Sequence, residues 1–314
     1  MYILIRNYRP LAECRSPRYG AKRQLGERRV SSEQQGFKMP EKISIQLGDV
    51  QRTLLIPLFG RAKEFEKEHP LVKDTYAHEI VGKLDYDFKA AFDKMPMQFI
   101  INTAIRAYHL DTALLKVMAE HPDATIVSIG SGLDTTFQRI DNGKIFWYDL
   151  DLPDSMELRR KFIPEGPRNK FIAKSVFDRS WFADIKERRS KVFFVSGGVL
   201  VYLKEEEIKG LFLDLIKEFP RSEIVFEIYS KFLLWVRNGA LARRKTKSQL
   251  FSPMLWGVNS AKAIAAWSEK IQVLDEFPYY SRINLGEFWD EKNLTPLKIM
   301  NFFRWMKIVH IRLG

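Results

Sequence analysis

The chain of 314 residues contains a single cysteine, Cys14. An internal disulfide and a cysteine-cluster metal site are therefore excluded, and a reducing, cytoplasmic setting is expected. The five histidines (His69, His78, His109, His121 and His310) are scattered, and none sits in a catalytic or metal-ligand spacing. No apolar run approaches the roughly 18 residues that span a bilayer. The best candidate, Val192 to Leu203, is broken by Gly197-Gly198. Acids are scarce at the start: residues 1–38 hold nine Lys/Arg against three Glu, half of the net charge of +12. The rest is only mildly basic and shows no basic stripe on predicted elements, so neither nucleic acid nor membrane is expected as a partner. A dinucleotide fingerprint is missing too. The turn Gly130-Ser131-Gly132 has Thr135 where a third glycine would stand.

What is present is material for a large core, 46% of residues being hydrophobic. Residues 1–40 read as a basic tail without periodicity; disorder, an arginine-rich transit segment and a natural start at Met39 all remain open. Residues 41–121 read as helical. Ile101, Ile105 and Tyr108 share a helical face, and Asp111 is expected to cap a short helix carrying Leu114, Leu115 and Met118. From Ala124 onward strands alternate with helices. Strands are expected at 125–129, 144–149, 170–175, 191–196, 222–229, 270–275 and 305–311. Between the fourth and fifth, Ile208, Leu211, Phe212, Leu215, Ile216 and Phe219 form a 3.6-residue stripe. The alternation predicts a mostly parallel sheet covered on both faces, with a reversed last strand. A long connection over 231–269 carries apolar residues around the cluster Arg243-Arg244-Lys245-Thr246-Lys247, which reads first as a solvated face. The domain layout is then a tail, 1–40, and one domain, 41–314. That domain comprises a helical cap (41–121), a cofactor-binding core (122–230), a lid insertion (231–269) and the last strands (270–314).

The organising stretch is Ala124 to Pro153. A β-branched run, Ile126-Val127-Ser128-Ile129, breaks into Gly130-Ser131-Gly132, and a second apolar run ends in Asp149-Leu150-Asp151. Strand, glycine turn, helix, strand and acid make the front half of a nucleotide-type unit: glycines let the backbone approach a ligand, and the acid can bind ribose hydroxyls.

The extension of that turn, Gly130 to Arg139 (Gly-Ser-Gly-Leu-Asp-Thr-Thr-Phe-Gln-Arg), resembles the leucine carboxyl methyltransferase family, including its bacterial branch similar to tetracenomycin-type polyketide O-methyltransferases. Four further stretches share the resemblance: Thr53–Ala62 with Pro70–Ala77, Ile105–Asp111, Tyr148–Pro153 and Ser196–Leu203. It covers most of residues 50–230 and implies an α/β, class I methyltransferase Rossmann-like sheet of seven strands, mostly parallel with one reversed, plus N-terminal helices and a helical insertion. It also implies S-adenosyl-L-methionine as cofactor, S-adenosyl-L-homocysteine as product, and a small-molecule substrate methylated on a carboxylate or hydroxyl. Residue by residue, Arg106 matches the arginine that holds the methionine carboxylate, with Arg61 as an assistant. Gly130, Ser131 and Gly132 match the cofactor turn, and Asp151 the ribose acid, with Asp149 as the alternative. Ser175, Val176, Gly197 and Gly198 fall at the remaining cofactor positions. Asp134 and Arg139 are expected to brace the loop, and Tyr202 and Tyr229 are pocket candidates that packing would explain equally well. The pocket itself is expected between the N-terminal helices and the 231–269 insertion.

Two departures stand out. The family usually has an acid where Gly197 stands, and an Asp near Ser175-Val176; Glu227 or backbone carbonyls are the candidates to compensate. They leave a catalytically weak or inactive cofactor-binding relative as the second reading of function.

Overall fold

The structure is a computed structural model describing residues 42–44, 49–92, 97–185, 191–243 and 252–314. The basic tail, Cys14, Arg244 to Lys247 and Phe251 lie outside the described residues.

Four helices come first: α1 (Asp49–Phe65), α2 (Thr75–Lys83), α3 (Phe88–Phe92) and α4 (Met97–Glu120). Asp74 starts α2 by accepting the Ala77 N–H at 2.9 Å, which satisfies one of the donors a helix start leaves open. Helix α4 runs unbroken through Asp111, so the expected cap there is not made. The Asp111 carboxylate instead receives Arg139, Nε to Oδ2 at 2.8 Å and Nη2 to Oδ1 at 2.9 Å.

All seven expected strands form: β1 (Thr125–Ile129), β2 (Phe146–Asp151), β3 (Asn169–Ala173), β4 (Val192–Ser196), β5 (Ser222–Tyr229), β6 (Ile271–Pro278) and β7 (Met306–Leu313). Their order is β3-β2-β1-β4-β5-β7-β6. Strands β1 to β5 pair in parallel, and β7 lies antiparallel to both β5 and β6. The helices between and after the strands are α5 (Thr136–Ile140), α6 (Pro153–Arg160), α7 (Glu205–Glu218), α8 (Lys231–Ala242), α9 (Ala261–Ala265) and α10 (Glu291–Phe302).

The period-two alternation of each strand splits the core into two layers. On one face Ile126, Phe193 and Val225 pack with Ile101, Ile105 and Leu114 of α4. On the other, Val127, Phe194 and Phe226 pack with Ile208, Leu211, Phe212 and Leu215 of α7, the stripe legible in the sequence. A third cluster joins Leu55 and Leu58 of α1 to Ile80 of α2 and Met156 of α6. The strand order reverses between β1 and β4, and in such sheets ligands bind outside the strand C-termini at that point. Gly130–Gly132 and Gly197–Gly198 follow those two ends.

Candidate cofactor and substrate site

A cavity of about 450 Å³ opens at this switch point. One wall is the turn after β1. Gly130 and Gly132 have φ of +69° and +47°, which side-chain-bearing residues rarely adopt. A Cβ on Gly130 would run into Val199, and one on Gly132 would stand 2.7 Å from Leu54. The turn is tied to β2: Gly130 N–H donates to Leu150 O at 2.8 Å, and Gly132 N–H to Asp151 Oδ2 at 2.7 Å.

The loop also rests on a buried ionic cluster. Asp74 accepts from Arg61 Nε at 2.7 Å, Arg139 Nη1 at 2.8 Å and Thr135 Oγ1 at 2.6 Å. Burial by itself would raise the Asp74 carboxyl, but Arg139, Arg61 and these hydrogen bonds outweigh it and hold it below the ordinary carboxylate range. Arg61 also donates to Leu133 O at 3.0 Å, so it fixes the turn from behind while lining the cavity. Arg139 and Asp134 brace the loop as expected: Asp134 lies 3.6 Å from Arg61 and 3.8 Å from Arg139, and these cations keep it ionised against the cost of burial.

The facing wall is Arg106 of α4. Its guanidinium lies against Gly198, where any Cβ would collide with it. Glu227 of β5 sits beneath: its Oε1 is 3.5 Å from Arg106 Nη1 and accepts the Gly198 N–H. Burial works to lower the Arg106 pKa, but the Glu227 carboxylate outweighs it and the guanidinium stays charged. Gly197 brings no carboxylate, and its place is packed by Leu110 and the Arg106 stem.

Of the residues singled out in the sequence, the structure gathers Arg61, Arg106, Gly130, Ser131, Gly132, Gly197, Gly198, Tyr202 and Tyr229 around the cavity. Asp149, Asp151, Ser175 and Val176 do not line it. Asp151 ends β2 beside the turn and spends its carboxylate on the N–H groups of Gly132 and Leu152, both at 2.7 Å. Asp149 is buried among Trp147, Arg159 and Asn169, which donate to it at 2.9, 2.8 and 2.9 Å. That satisfies the carboxylate internally and leaves it no oxygen facing a ligand. Ser175 and Val176 lie past β3, in a turn where Val176 O accepts from Arg179 and Trp181. The sequence reading did not include Tyr279, Met300 and Met306, which close the cavity from the C-terminal part of the chain. The aromatic run at and just past the end of β6, Phe277-Pro278-Tyr279-Tyr280, is the one local signal that marked it.

A seven-stranded sheet with a reversed β7, a glycine turn after β1 and an acid ending β2 defines the class of S-adenosylmethionine-dependent methyltransferases. The leucine carboxyl methyltransferase family model matches residues 55–215, and the chain belongs to that family. It is 28% identical over 266 residues to the tetracenomycin polyketide synthesis O-methyltransferase of Streptomyces glaucescens, covering 82% of this chain and 96% of that one. An S-adenosyl-L-methionine-dependent methyltransferase of Gibberella zeae is 27% identical over 202 residues, 60% of this chain and 67% of its own. In fold, the chain is similar to a putative methyltransferase from Thermobifida fusca (TM-score 0.54, 13% identity, covering 89% of this chain and 96% of that one).

Proposed function

We propose that this protein is an O-methyltransferase that moves the methyl group of S-adenosylmethionine to an oxygen of a small, largely apolar molecule, a carboxylate before a hydroxyl. The observation that carries the reading is the cavity itself. It is lined by a glycine turn, a charged arginine facing it, and the apolar and aromatic side chains Tyr229, Tyr279, Met254, Met300 and Met306. The residues suit the cofactor: two positive-φ glycines admit a close ligand, and Arg106 presents N–H donors that a methionine carboxylate can take bidentately. Asp151, at the end of β2, is the proposed ribose contact. When bound, the cofactor supplies an electrophilic sulfonium methyl.

The chain's own part is then positioning and exclusion of water. Asp134 is the one carboxylate among the described residues lining the cavity, and it is committed to Arg61, Arg139 and Thr136. Tyr229 is pushed well above the ordinary phenol pKa by burial first and by Glu227 next, so it keeps its proton and offers a hydrogen bond, not a base. With no uncommitted carboxylate among the described residues lining the cavity, an acceptor already ionised at neutral pH is favoured, and a carboxylate with pKa of about 4 meets that need.

The test is release of S-adenosylhomocysteine over a panel of aromatic acids and phenols. Turnover of acids is expected, and turnover restricted to amines would sink the reading. Cofactor binding without turnover of any acceptor would instead favour the inactive relative, the reading that Gly197 keeps open. In the same assay Arg106→Ala is expected to weaken cofactor binding tenfold to a hundredfold, the loss of a charge-assisted hydrogen bond of about 1.5–3 kcal/mol.

A further inference from the structure

On the outside of the elements that close the cavity lies a ridge of aromatic rings that no catalytic role uses. Trp235 and Phe232 stand on α8, Phe302 ends α10, and Phe303 and Trp305 lead into β7. The rings touch in sequence. Trp235 lies 6.0 Å from Phe232, Phe232 5.2 Å from Trp305, Trp305 stacks on Phe303 at 5.4 Å, and Phe303 lies 5.1 Å from Phe302. Trp235 is 72% exposed, Phe302 80% and Phe303 57%. Val236 and Ile299 extend the same apolar surface. Exposed aromatics in a contiguous row mark an interaction surface.

The charge around the ridge says which kind. Segments 231–243 and 298–307 contain six basic residues and no acid. Lys298 and Lys307 have carboxylate partners in Glu291 and Glu276. Lys231, Arg243 and Arg304 are exposed and make no ion pair among the described residues. A second copy docking through this face would set like charges against each other. Trp and Phe exposed beside unpaired Lys and Arg are the combination that a lipid interface accepts directly, the rings among the acyl chains and the cations at the headgroups.

We propose that this ridge seats the enzyme on the surface of a bilayer containing anionic lipid, with Trp235, Phe302 and Phe303 in the interface and Lys231, Arg243 and Arg304 at the headgroups. The absence of a spanning run in the sequence does not bear on this. Among the described residues no helix is long and apolar enough to cross a membrane, and a surface attachment needs none. The inner faces of the same elements carry Leu233, Arg237 and Met300 into the cavity wall. Seating the ridge therefore brings the cavity wall to the lipid surface, where apolar acceptors concentrate.

The full chain is sedimented with vesicles of phosphatidylcholine alone and of phosphatidylcholine mixed with phosphatidylserine. Binding to the mixed vesicles, weakened by salt, with little binding to the neutral ones, is expected. The double variant Trp235→Ser, Phe302→Ser is expected to bind them about tenfold or more weakly, since each ring leaves the apolar phase. Its thermal unfolding and cofactor affinity should match the wild type, which separates this result from the O-methyltransferase reading. The absence of vesicle binding overturns the proposal. Equal binding by the double variant, with loss only in Arg243→Gln, Arg304→Gln, reduces the effect to bulk charge and overturns it as well. A wild-type dimer in light scattering that the double variant converts to monomer assigns the ridge to a second copy instead.

Discussion

Glu227 serves three neighbours with one oxygen. Its Oε1 accepts the Gly198 N–H and faces Arg106, and Tyr229 Oη lies 3.5 Å away. Its Oε2 is buried without a hydrogen-bond partner among the described residues. Burial pushes the Glu227 pKa up, and Arg106 opposes that shift. Glu227 places a carboxyl group beside the switch point from the neighbouring strand β5, paired there with Arg106. The Arg106 guanidinium can lie there only because Gly198 puts no Cβ in its way. Glu227→Ala would strand the Arg106 cation and the Gly198 donor. Breaking a fully buried pair costs about 3–5 kcal/mol. Arg106 keeps 20% of its side chain exposed, so a loss of about 2–3 kcal/mol is expected in urea unfolding. Glu227→Gln keeps an acceptor for Gly198 and should lose less. Equal losses in both variants would show that the acceptor for Gly198 contributes nothing and that the charge accounts for the whole effect.

At the scale of elements, α4 is the beam that holds the site. Arg106 faces the cavity from it, Asp111 anchors Arg139, and His109 pins it to the end of β6. His109 Nε2–H donates to Tyr279 O at 2.8 Å. Burial lowers the His109 pKa to about 4; the hydrogen bond works against this and Arg282 adds to it. In the unfolded chain a histidine titrates near 6.5, so between those values the unfolded state holds the extra proton. Stability from His109 is therefore complete above about pH 6.5 and falls as pH drops toward 4, by about 3 kcal/mol at most. Glu223, held down to about 2 by its partners His310 and Lys191 against the burial that would raise it, loses its share from about pH 4.5 downward and so overlaps only the acid end of that window. Urea unfolding of wild type and His109→Gln at several pH values separates the two. The variant should lose the slope between pH 4 and 6.5, and a slope unchanged in the variant would sink this assignment. The same helix shows where the sequence misleads. Asp-Thr-Ala-Leu-Leu at 111–115 has the local signature of a helix start, but the partner that claims Asp111 is Arg139, 28 residues away and across the turn. Strands β1, β4 and β5 were legible because β-branched and aromatic runs report burial on both faces directly. Asp149 and Asp151 looked alike as two acids ending a strand. Being two residues apart they share a face of β2, and position along the strand separates them: Asp149 lies inside the ladder, where Arg159 and Asn169 donate to it, and Asp151 ends the strand beside the Gly132 N–H.

For the whole molecule, the site is an assembly of distant chain. The cavity draws on Leu54 near one end and Met306 near the other, with Arg106, Gly130, Gly198 and Tyr279 between. The half built on motifs was readable, because a glycine turn and a following acid are local patterns. The half closed by Tyr279, Met300 and Met306 was not, because only the reversed β7 carries those residues back beside β5. A ligand filling that cavity contacts several elements that separate on unfolding, so its binding free energy adds to the stability of the fold. At a hundred times its dissociation constant, S-adenosylhomocysteine should contribute about 2.7 kcal/mol. A domain of this size should then melt roughly 5 °C higher or more. Arg106→Ala, with affinity weakened tenfold, should gain only about 1.4 kcal/mol at the same ligand concentration, so its shift should be about half. The comparison is between shifts with and without ligand, because removing Arg106 also leaves Glu227 unpaired and lowers the starting temperature. Equal shifts in wild type and variant would remove Arg106 from the cofactor site, and no shift in either would remove the cofactor from this cavity.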